Sequence, residues 1–147
     1  MDSLYRFGIA VMLVTAWLMW SPSVLADTIN LKAELTASNE VPPNNSKGAG
    51  SVTATFDTAT KTLAWKGTYS GLTGDATMAH FHGPGEPGQN AGVAVWISTK
   101  GSAFPTSFEG RATLTDAQAA ELLAGRWYVN VHTAANPAGE IRGQLVK

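Results

Sequence analysis

The chain contains no cysteine in its 147 residues. Disulfides are therefore excluded as a source of stability, and thiolates are excluded as metal ligands. The fold must be held by packing, and any metal site must be built from other donors. Charge is sparse as well, with ten Lys and Arg against eleven Asp and Glu. These nearly cancel and form no basic cluster, so neither nucleic acid nor an anionic membrane surface is expected as a partner. There are only three histidines. No repeat of 20 to 50 residues is visible. The sequence also lacks a nucleophile elbow, a paired-carboxylate pattern and a phosphate loop before a helix, so nothing points to hydrolysis.

One long apolar run is present, Phe7 to Trp20. It is shorter than the roughly 20 residues that span a bilayer. A short head, Met1 to Arg6, precedes it. Ser21-Pro22-Ser23-Val24-Leu25-Ala26 follows, with a helix breaker and small residues where a signal peptidase cuts. Residues 1–26 read as a secretory signal peptide, the alternative being an uncleaved anchor. The mature chain, 27–147, is then exported to the periplasm or the exterior, free of the membrane, and long enough for one domain with its own core.

Beyond the leader, alternation of period two dominates. Ile29 to Leu35, Gly48 to Asp57 and Thr62 to Ser70 read as strands, the last two joined as a hairpin. Tandem prolines at Pro42-Pro43 interrupt the pattern, because proline removes a ladder donor. Met78 to His82 reads as a strand running into the Gly/Pro loop Gly83-Pro84-Gly85-Glu86-Pro87-Gly88. Ala91 to Ser98, Ser107 to Leu114, Arg126 to Thr133 and Glu140 to Val146 complete the set. One short helix is expected from the capping box Thr115-Asp116-Ala117-Gln118, stopped at Gly125. The fold class expected is all-β, an antiparallel Greek-key β-sandwich or barrel with one connecting helix. Trp65, Trp96 and Trp127 fall inside strands, where sheet or core packing is the simplest account of them.

Several segments in this order resemble one family. They are Glu40-Val41-Pro42-Pro43, Ala79-His80-Phe81-His82-Gly83-Pro84, the Leu114-Thr115 helix start, Gly125-Arg126-Trp127-Tyr128-Val129-Asn130-Val131-His132-Thr133, and Asn136-Pro137 with Gly139-Glu140-Ile141-Arg142-Gly143-Gln144-Leu145. Together they resemble the CHRD domain, named for its occurrence in chordin, over essentially the whole mature chain. The resemblance implies a secreted, immunoglobulin-like β-barrel, common as a stand-alone domain in bacteria. Animal members act by extracellular protein binding, so an extracellular protein is one implied kind of partner.

The histidines carry the sharpest chemical signal. His80 and His82 leave one face of a strand, about 6–7 Å apart, and His132 sits on a second alternating strand. If the two strands are neighbours, three neutral imidazoles can share one ion and leave a fourth position for water or a small anion. Such a set suits copper, or zinc as the alternative. Met78 shares the face of His80 and His82, as an added soft ligand or as a core residue. Tyr128 and Asn130 share the face of His132 and could orient an imidazole or contact bound solvent. Glu140 could accept from a ring N–H, and Arg142 could draw an anion to the open position, unless both simply pair with other charges.

Three functions follow: a metal-binding domain, copper favoured; a metal-free extracellular interaction or matrix module with structural histidines; and a copper-only oxidoreductase. The last arises because the pattern also resembles the copper half of copper–zinc superoxide dismutases. It departs from them in lacking the further histidines of their bridging and zinc sites, so no catalytic residue is assigned.

Overall fold

The computed structural model describes residues 27–99 and 103–147. The signal segment read over 1–26 lies outside the described residues. The elements are β1 (Thr28–Thr36), a single 3-10 turn (Ala37–Asn39), β2 (Ala49–Asp57), β3 (Thr62–Ser70), β4 (Ala76–His82), β5 (Val93–Trp96), β6 (Ser107–Thr113), α1 (Asp116–Leu123), β7 (Tyr128–Thr133) and β8 (Ile141–Gln144). No helix among the described residues is long and apolar enough to cross a membrane.

The strands form one antiparallel sheet in the order β5-β4-β7-β8-β1-β2-β3-β6. Period two sets its register. Leu31, Ala33 and Leu35 of β1 lie opposite Ala54, Val52 and Gly50 of β2, and Phe56 of β2 lies opposite Leu63 of β3. Their apolar side chains are buried on one face. The sheet curls until its ends meet through that face. Trp65, one strand in from the β6 edge, touches Phe81, one strand in from the β5 edge, with ring centroids 5.1 Å apart. A nearly closed barrel results, as alternation and turn spacing predict.

The helix α1 links β6 to β7. Thr115 Oγ1 accepts from the Gln118 amide, and Gln118 Oε1 accepts from the Thr115 amide, the reciprocal pair expected of a capping box. Gly125, at φ +73°, ends it with two back-bonded amides, Gly125 to Leu122 and Arg126 to Glu121.

One feature departs from simple alternation. All six residues of β7 are buried. Val129 and Val131 face the barrel core, while Tyr128, Asn130 and His132 face outward and are covered by folded-back chain. The cover comes from segments 37–48, 83–92 and 134–140. Asn90 Nδ2 donates to Val41 O at 3.0 Å, and Asn44 Nδ2 donates to Glu140 O at 3.0 Å, tying these segments together. The barrel wall here has a hydrophobic core inside and a thin polar layer outside.

Candidate metal centre

The polar layer is built on β4 and β7, which are antiparallel neighbours. Met78 pairs with His132, His80 with Asn130, and His82 with Tyr128. In an antiparallel ladder, directly opposed and diagonal residues on one face are in side-chain contact. All three histidines therefore rise on the same patch of outer wall. Their ring centroids are 5.0 Å apart for His80 and His132, 5.4 Å for His80 and His82, and 6.3 Å for His82 and His132. One ligand nitrogen from each lies within 4.8 Å of the other two.

Backbone carbonyls aim two of the rings. His82 Nδ1 lies 2.9 Å from Ala91 O, and His132 Nδ1 lies 3.0 Å from Pro137 O. A carbonyl only accepts, so each Nδ1 carries the proton and each Nε2 keeps a lone pair. This is how proteins set the tautomer of metal-binding imidazoles. His80 Nδ1 lies 3.2 Å from His132 Nε2, where a proton is shared. Two nitrogens on a tetrahedral ion with bonds near 2.1 Å are about 3.4 Å apart, so an ion could replace that proton with little movement. His80 Nε2 and His82 Nε2 are buried without any hydrogen-bond partner.

The electrostatics favour neutral rings. Burial pushes the His80 pKa down to about 4, with further lowering from His132 and His82. Burial likewise lowers His82 and His132, against the partial opposition of their carbonyl partners. Neutral imidazole is the form that binds metal. Trp96 stands at the mouth, 46% exposed, edge-on to His80 with ring centroids 4.1 Å apart.

A model of the CHRD domain matches residues 31–145, a span that holds the three histidines and every residue in contact with them. The chain belongs to the CHRD family. No curated protein and no solved structure matches it.

The other expected site residues of this CHRD domain divide into those beside the histidines and those drawn elsewhere. Tyr128 lies parallel to His82, centroids 4.9 Å apart, and its hydroxyl accepts from the Ala91 amide at 3.1 Å. Asn130 lies opposite His80, and Met78 lies half-buried opposite His132. Glu140 does not accept from a histidine. Ser46, Thr73, Thr133 and Asn136 donate to its carboxylate, because β8 begins where three loops converge. Arg142 does not hold donors toward the open position either. It donates to Asn90 Oδ1 and Gln89 O, and its guanidinium lies over the Tyr128 ring, 3.4 Å from the centroid.

Sequence reasoning missed two participants. Trp96 is not packed in a core but covers His80 at the surface. Its pairing with His80 across β5 and β4 follows from register, which no local pattern reveals. Glu40 is buried, in the segment where the tandem prolines interrupt the strand pattern. Burial pushes its pKa up to about 7, against lowering by Arg142 and Asn130. The only sequence signal for Glu40 was its place in the family motif. A separate concavity of 560 Å³, lined by Thr53, Thr55, Ala64 and Lys66 among others, shares no residue with the histidine site.

Proposed function

We propose that this CHRD domain is exported and binds one metal ion, copper in preference to zinc, through His80, His82 and His132. The observation that carries the reading is the set of three buried imidazoles with ligand nitrogens within 4.8 Å, two of them aimed by backbone carbonyls. Imidazole donors suit copper and zinc, and the absence of thiolate removes the blue-copper arrangement. The fourth position would take water, a small anion or a further protein donor. Storage or sequestration of the ion is the role that needs nothing more than this site.

The test is metal analysis of the purified protein after loading and dialysis. About one equivalent of copper or zinc is expected, lost in His80→Ala and His132→Ala. Less than about a tenth of an equivalent in the parent protein, unchanged by either substitution, would sink the reading.

A second reading is a metal-free extracellular module that docks a protein partner. The hydrogen bond from His80 to His132 supports it, since the pair closes without an ion, and so do the exposed Val93 and Trp96 on edge strand β5. Copper-only dismutation is a third, removed if tightly bound copper gives no superoxide turnover.

A further inference from the structure

Among the described residues, five buried polar side-chain atoms lack a hydrogen-bond partner. Four of them belong to this polar layer: His80 Nε2, His82 Nε2, Glu40 Oε1 and Asn130 Oδ1. Asn130 is the informative one. It lies directly across the ladder from His80, diagonal to His82, and two residues before His132 on the same face. Its side chain therefore rises on the histidine face as the fourth corner of the patch that the three rings begin, and it is only 3% exposed.

The carboxamide is held at one end. A Cβ at Gly139 would lie 2.4 Å from Glu40 Oε1 and 2.7 Å from Asn130 Nδ2, so both groups crowd against bare glycine backbone. Gly139 has φ +133°, a conformation that glycine alone takes without strain. The nitrogen end is thus turned to Glu40 and Gly139, and Asn130 also reaches the His82 ring. His82 has spent its N–H on Ala91 O, so its Nε2 offers a lone pair. Asn130 Oδ1 offers lone pairs too. Two buried acceptors brought together with nothing between them cost energy on both sides. A cation shared by Asn130 Oδ1 and His82 Nε2 would satisfy both of these acceptors.

We propose that Asn130 Oδ1 is the fourth ligand of the histidine site, and that the resulting set of three nitrogens and one oxygen selects a divalent ion, Cu²⁺ or Zn²⁺, over Cu⁺. The proposal rests on the metal-binding reading. Its competitor on the same face is the Met78 thioether, opposite His132, which would instead favour Cu⁺. A neutral carboxamide oxygen is a harder donor than sulfur, and Glu40 and Gly139 hold it in place before any ion arrives.

The experiment measures Zn²⁺ and Cu²⁺ affinity by chelator competition, together with the Cu²⁺ EPR spectrum, on the purified protein and three variants. Asn130→Ala is expected to bind either ion at least about 10–100-fold more weakly and to change the parallel hyperfine splitting. Asn130→Asp, which keeps an oxygen there but changes its charge, should bind Cu²⁺ with a spectrum distinct from both. Met78→Leu should match the parent in affinity and spectrum. Parent-like affinity and spectrum in Asn130→Ala would overturn the proposal, as would loss of affinity in Met78→Leu. If Asn130→Ala does not fold, Asn130→Asp decides: a spectrum identical to the parent's overturns the assignment. A parent protein that binds no ion overturns the metal reading itself. A parent that binds an ion indifferently to Asn130 leaves that reading standing and removes only the fourth ligand.

Discussion

Glu140 shows how one residue can be recognised as important and yet have its role misplaced. Its position in the last strand, two residues from Arg142, suggests a polar face turned to the histidines. The structure instead buries it under hydroxyl and amide donors from three loops. Burial raises its pKa, but the donors from Ser46, Thr133 and Thr73 outweigh that and hold it at about 2, against 4.5 in the unfolded chain. The unfolded chain therefore takes up the proton first as pH falls. The stability that Glu140 contributes is complete above about 4.5 and is lost on the way down to about 2. Denaturant unfolding at pH 7, 5 and 3 should show the parent keeping this contribution from pH 7 to 5 and losing part of it by pH 3. Glu140→Gln should start about 2–3 kcal/mol lower at pH 7 and decline less steeply. Equal slopes for the two proteins would refute this assignment. The histidines were legible where Glu140 was not. A His-x-His strand fixes the direction of two rings from local geometry alone, whereas the partners of Glu140 come from loops whose paths depend on the whole fold.

At the scale of elements, the helix and the covering loops behave oppositely. The helix was legible in full because its start and stop signals are local. Thr115→Ala should cost about 1 kcal/mol by removing the cap and leave metal binding untouched, which makes it a useful control in calorimetry. The strands too were readable to within a few residues, since alternation is written along the chain. The double burial of β7 was not. Period two marks Tyr128, Asn130 and His132 as one polar face but cannot say that distant segments will cover it. The segment from Ala134 to Glu140 is the most exacting part of that cover, because Gly139 combines φ +133° with the close approach of Glu40 and Asn130. Gly139→Ala should lower stability by about 1–3 kcal/mol and weaken metal binding together. Unchanged unfolding and unchanged affinity would show that the loop tolerates a side chain there.

Across the whole molecule, the barrel is closed by an aromatic contact between β4 and β3, strands far apart in the sheet. Phe81 touches Trp65 at 5.1 Å and Trp127 at 6.1 Å, and its side chain points inward between the two histidines that point outward. Phe81→Ala should cost about 3–5 kcal/mol, measured by denaturant unfolding. A loss under about 1 kcal/mol would mean that the sheet ends close by other contacts. The fold class and topological family were readable because many weak local signals agree. The strand order was not, since it depends on which edges meet after the chain has folded back.

That order has a consequence in time. Strands β1, β2 and β3 are successive in sequence and pair as neighbours, so three of the eight strands can zip up from nearby segments. The wall bearing the histidines cannot, because β1 is joined to β7 only through β8, which follows both of them in the sequence. His80 and His82 are thus synthesised well before the sheet that will hold them against His132 can be finished. Closing such long separations is the slow part of assembling a β-fold. A chain truncated before Ile141 would carry all three histidines on β4 and β7 without the strand that joins β7 to β1.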